Sequence, residues 1–85
     1  NLVNRKIVGL LEGKKSKAYR DNHIRGKAYH AINQGIIDRF GVRRKEIPAK
    51  EFKNAVIFIE NWGLSDQELK DEIFEANHQM SLFEA

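Results

Sequence analysis

Apolar residues recur along this chain at helical spacing, and glycine or proline punctuates each stretch. Val3, Ile7, Leu10 and Leu11 fall at i, i+4, i+7 and i+8, one stripe of a first helix over about 2–12. Gly13 follows and can take the left-handed conformation that ends a helix. Residues 14–18, Lys-Lys-Ser-Lys-Ala, read as a basic connector. Ile24, Ala28, Ala31, Ile32, Ile36 and Phe40 line one face of a second helix over about 20–40, and Arg20, His23, Lys27, His30 and Gln34 line the other. Gly26 and Gly35 each cost that helix roughly 1 kcal/mol relative to alanine, so each weakens it or marks a close helix crossing. Gly41 is placed as a stop.

Beyond a second connector at 42–47, Pro48 suits the first turn of a third helix over about 48–62, because the amide proton it lacks has no intrahelical partner there. Phe52, Ala55, Val56, Phe58, Ile59 and Trp62 form its stripe, and Gly63 ends it. Residues 65–68, Ser-Asp-Gln-Glu, read as a capping box opening a fourth helix over about 66–79, with Leu69, Ile73, Ala76 and Met80 on one face. Sustained period-2 alternation and internal repeats are both missing. The pattern therefore predicts an all-α, compact bundle of about four helices in a single domain over 1–78, with a C-terminal tail over 79–85. A short extended segment fits near 42–47, but a sheet does not. The expected core is Ile7, Leu10, Leu11, Ile24, Ala28, Ile32, Ile36, Phe40, Phe52, Val56, Ile59, Trp62, Leu69 and Ile73.

Eighty-five residues at 41% hydrophobic and 32% charged suffice for one globular core and not for two. No cysteine occurs, which removes disulfides, thiolate metal sites and a cysteine nucleophile. Neither a membrane-spanning apolar run nor a signal-peptide core is visible. The first residue is Asn1 rather than Met, and the chain is read as a piece of a longer protein. The net charge of +3 conceals an asymmetry. Residues 1–45 hold 12 Lys/Arg against 3 Asp/Glu, a balance of +9, and residues 46–85 hold 3 against 9, a balance of −6. The basic half suits a polyanion; the acidic half suits solvent, a basic partner or the basic half of a second copy.

Catalytic and cofactor chemistry finds little support. Gly9 to Ser16 resembles a phosphate-binding loop, but three residues rather than four separate its glycines and a helix rather than a strand precedes it. His23 and His30 lie seven apart on one helical face, about 10 Å along the axis, too far to share a metal, and His78 is remote. Ser16, Ser65 and Ser81 come with no base and orienting group. The chain is therefore expected to be no enzyme and to need no cofactor, metal or small-molecule substrate.

Two cationic clusters suit phosphate better. Lys14, Lys15, Lys17 and Arg20 make one; Arg43, Arg44 and Lys45 make the other; Arg25 and Lys27 lie between them. Lys27, His30 and Gln34 on the polar face of the second helix are candidates to reach base edges. DNA is accordingly the first expected partner. At the C-terminus, Gln79, Leu82 and Phe83 within Gln-Met-Ser-Leu-Phe fit the pentapeptide by which many bacterial replication proteins bind the sliding clamp. Leu and Phe would plug a hydrophobic pocket there while the Gln amide orients the peptide. The alternative is that these residues fold back on the bundle. Ile57 and Phe74 fall off their helices' main stripes and are candidates for contact with a protein partner or with a second copy.

Ser16-Lys-Ala-Tyr19, Lys27-Ala-Tyr29-His-Ala-Ile32, Phe40-Gly41-Val42, Ile47-Pro48-x-Lys50-x-Phe52 and the helix from Ala55 to Trp62 occur in that order. Together they resemble the C-terminal domain of phage antirepressors and related phage regulatory proteins, over about residues 5–63. The resemblance implies a domain carried behind a separate N-terminal module in a prophage-encoded regulator, acting in the cytoplasm of a bacterial host. It also implies no cofactor and no catalysis, and it allows a repressor, or self-association, in place of DNA. It assigns no binding site.

Overall fold

The structure is a computed structural model, and it describes residues 1–78. Five α-helices and two short 3₁₀ turns account for its regular structure, with no strand among the described residues. The helices are α1 (Leu2–Leu10), α2 (Lys17–Arg20), α3 (Asn22–Phe40), α4 (Phe52–Asn61) and α5 (Gln67–His78). The 3₁₀ turns span Arg44–Glu46 and Ala49–Glu51. The all-α bundle expected from the spacing is the fold observed.

The long α3 is the spine. Its buried stripe, Ile24, Ala28, Ile32 and Ile36, faces Val3, Ile7 and Leu11 from the first segment and Leu69 and Ile73 from α5, in one buried cluster. α1 lies between α3 and α4, whereas α5 packs against α2 and α3. Ala18 from α2 and Ile59 from α4 complete the cluster.

Local chemistry explains the boundaries. The Asn1 side chain caps α1 by accepting from Asn4 N at 3.1 Å. The end of α1 differs from the pattern's expectation: Glu12, not glycine, takes the left-handed position (φ 72°), and Gly13 continues at φ 109°. Gly13 N donates to Val8 O at 2.8 Å, satisfying a carbonyl of the last turn. Ser16 then caps α2, accepting from Tyr19 N and donating to Leu11 O at 2.7 Å. Lys17 and Ala18, expected in the connector, are thus helical. Asp21 separates α2 from α3: its extended backbone ends the first, and its carboxylate accepts from His23 N and Ile24 N to start the second. Gly41 ends α3 in the left-handed conformation at φ 78°. α5 is capped by Asp66, which accepts from Leu69 N at 3.2 Å, one residue later than the expected Ser65.

The core departs from expectation at one large residue. Phe52, the first residue of α4, is 66% exposed. Leu10, Phe40 and Trp62 pack against the cluster only in part, while Val3, Ala18 and Ala55 are buried. Gly35 marks a close crossing, since a Cβ there would lie 3.0 Å from Trp62 Nε1. Gly26 does not, for a Cβ there would meet open space.

Asn77 joins α5 to the connection between α1 and α2. Its Oδ1 accepts from Ala18 N at 2.9 Å, and its Nδ2 donates to Leu11 O and Glu12 Oε2, each at 3.1 Å. A His78 ring nitrogen lies 3.2 Å from Glu12 Oε1 beside this junction, and Lys27 pairs with Glu72 at 3.1 Å along α3. The acidic last helix therefore lies against the basic half, and folding interleaves charges that the sequence keeps apart.

Candidate functional site

The most distinctive polar feature lies just past the end of α3. Gly41 turns the chain, Arg43 is extended, and the 3₁₀ turn follows. Ile47 then returns to the core, which anchors the turn while Arg43 and Lys45 are exposed and Arg44 is half-buried. Arg43, Arg44 and Lys45 surround a recess of about 310 Å³ against Asn33 and Ile37 of α3. Two polar atoms of its lining residues, Asn33 Oδ1 and Arg44 Nη1, are buried and make no hydrogen bond. A buried guanidinium N–H without an acceptor is costly, and so is a buried amide oxygen without a donor. Arg43 and Lys45 make no ion pair among the described residues.

Tyr29 lies within the electrostatic reach of Arg44. Burial, and then the neighbouring Tyr19, push the Tyr29 hydroxyl above its ordinary range, while Arg44 and Arg25 pull it back. The same hydroxyl donates to Asn4 Oδ1 at 2.8 Å. Arg39 stacks on Phe40 at 4.8 Å from the ring centroid, adding a further cation at this end of α3.

The other cationic cluster is elsewhere. Lys14, Lys15, Lys17 and Arg20 lie at the start of α3, and the 43–45 turn lies at its end. Nineteen helical residues place the two about 28 Å apart, so they do not form one patch. Lys14 and Lys15 are exposed; Arg20 Nε donates to Ser16 O at 3.4 Å. Arg25 is committed internally: it donates to Tyr19 O at 2.8 Å and to Asn22 Oδ1, and lies over the Tyr19 ring. Lys27 is committed to Glu72. His30 and Gln34 are exposed on α3, with Gln34 donating to Asp38 at 3.0 Å. His30 and Lys27 line an open groove whose opposite wall is Asp66 and Glu68, which gives that groove mixed charge. Gln79, Leu82 and Phe83 lie outside the described residues.

Asn33 carries no signal in the sequence, because an Asn beside an apolar stripe looks like any half-exposed helical residue. Among the described residues no cluster of three or more His, Asp or Glu is placed to hold a metal, and no helix is long and apolar enough to cross a membrane.

Residues 1–73 match the ORF6C domain, from the first helix through the buried Ile73 of α5. The chain belongs to the ORF6C domain family. This domain is found in phage antirepressor and regulatory proteins, as the ordered pieces around Tyr29, Gly41 and Trp62 imply, and the chain is of phage regulatory type. No curated protein and no solved structure matches it. The ORF6C match extends ten residues past Gly63, taking in both apolar residues by which α5 closes the core, Leu69 and Ile73.

Proposed function

We propose that this ORF6C domain contacts the DNA backbone, and that the turn bearing Arg43, Arg44 and Lys45 is its principal phosphate-binding corner. One observation carries the reading: the buried, unpartnered Nη1 of Arg44 in a recess flanked by two further cations. A phosphate oxygen at the mouth would accept from the exposed Arg43 and Lys45, and a turn of the Arg44 guanidinium towards it would give the buried N–H an acceptor as well. Lys14 and Lys15 would add long-range attraction from the other end of α3. Contacts of this kind position a domain on a duplex without reading its sequence. Sequence preference would fall to the exposed His30 and Gln34 on α3, or to another part of the parent protein.

Charge reversal tests the assignment. Arg43→Glu with Lys45→Glu should weaken binding of a labelled duplex at least tenfold at low salt, with helical circular dichroism unchanged. Lys70→Glu, on the acidic α5, should leave it unaltered. Equal loss from both variants would reduce the effect to net charge and remove the corner from the account.

A second reading is favoured by the exposed aromatics, Phe52 at 66% and Phe74 at 64%: a protein-interaction module that binds a repressor or a second copy of itself.

A further inference from the structure

The face of α5 turned away from the core carries an apolar side chain among charges. Asp71, Phe74 and Glu75 are exposed, with Lys70 the one cation beside them. Phe74 is held in place rather than loose: its ring lies 4.6 Å from that of His78, tilted by 33°, and His78 in turn reaches Glu12. Towards the end of α3 that carries the 43–45 turn, α1 and α4 leave an open groove of about 560 Å³ between them. Leu2, Val3, Ile47, Val56 and Ile59 make it apolar, Phe52 lines it while remaining largely in solvent, and Arg44 and Lys45 supply its charge.

These two surfaces complement each other. One offers an aromatic ring between carboxylates, and the other offers an apolar trough with cations along it. They cannot meet within one molecule, since α5 packs on α2 and on α3, and the groove belongs to α1, α4 and the 43–45 turn. We propose that the groove receives α5 of a second copy of this chain, with Phe74 seated beside Phe52 and with Asp71 and Glu75 facing Arg44 and Lys45. This deepens the protein-interaction reading and rests on it. An amphipathic helix laid in an apolar groove is a recurring mode of recognition, with side chains three and four apart as anchors. α5 is 12 residues, about 18 Å long, so one such contact covers less than the roughly 1,600 Å² of a standard interface. Contacts below that size belong to weak, transient encounters, so the pairing is expected to be weak.

Sedimentation equilibrium of the 85-residue chain from 10 µM to 1 mM at low salt, without nucleic acid, tests the pairing apart from any DNA contact by the same cations. Two variants accompany it: Phe52→Ser with Lys45→Glu in the groove, and Phe74→Ser with Asp71→Lys on α5. Both aromatics are exposed, so each variant should keep its helical circular dichroism. The wild type should associate, and each variant alone should do so at least tenfold more weakly. An equimolar mixture of the two should recover a 1:1 complex, because it retains one intact groove and one intact α5. A wild type that stays monomeric throughout would overturn the proposal and hand the groove to a different protein. Association that survives in either variant, or a mixture that stays monomeric, would overturn the assigned surfaces.

Discussion

Asn77→Ala should be among the most damaging substitutions outside the apolar core. Its amide holds the α1–α2 connection against the last turn of α5 through three hydrogen bonds of 2.9–3.1 Å. Their loss is unequal. Leu11 O keeps the Ser16 hydroxyl at 2.7 Å, and the Glu12 carboxylate keeps His78. The Ala18 N–H has no such substitute: it sits in the first turn of α2, with no helical carbonyl before it, and its residue is fully buried. Orphaning a buried donor costs about 1–3 kcal/mol, and a lost neutral hydrogen bond about 1 kcal/mol. A loss of about 2–3 kcal/mol is expected, which for a domain of this size lowers Tm by roughly 8–24 °C. Urea unfolding followed by circular dichroism measures it, with Asn54→Ala as control, since Asn54 bonds only Glu51 at an exposed site and should change stability by less than about 0.5 kcal/mol. A cost for Asn77→Ala no larger than that of the control would refute the junction.

Two further predictions concern stability. Gly26→Ala should stabilise the domain by about 0.5–1 kcal/mol, because a Cβ there meets open space, whereas Gly35→Ala should bring no gain because its Cβ would press on the Trp62 indole; thermal melts that rank the pair the other way would contradict the crossing. Tyr29 has its pKa raised above 10.0 in the folded state, so its contribution is full below about pH 10 and is lost as pH rises through the higher folded value. Tyr29→Phe should therefore flatten the alkaline fall in unfolding free energy, measured by urea titration between pH 8 and pH 11, and an unchanged slope would contradict the assignment.

The helices were legible because their signals are local. The i, i+4 stripe of α3 needs only neighbouring residues to be recognised, and Gly41 ends the helix as its lack of a side chain allows. Asp21 was harder: a single carboxylate between two helices looks like a polar residue inside one, and only the extended backbone at that position reveals the break. Phe52 was misjudged because periodicity assigns a face but cannot tell whether another helix extends far enough to cover it. Asn77 was invisible, for its partners lie 59 and 66 positions away. The same limit governs the site. Counting cations found both clusters, but only the fold shows that α3 holds them apart, that Lys27 is bound to Glu72, and that Arg44 has a donor without an acceptor.

The salt dependence of duplex binding decides whether the 43–45 corner binds phosphate. Fluorescence anisotropy of a labelled random-sequence duplex, titrated at several salt concentrations, yields the slope of log affinity against log salt, about −0.9 for each phosphate neutralised. Three corner cations predict a slope of about −3, falling towards −1 in Arg43→Glu with Lys45→Glu. Absence of binding at the lowest salt, or a wild-type slope that the corner variant leaves unchanged, would contradict it.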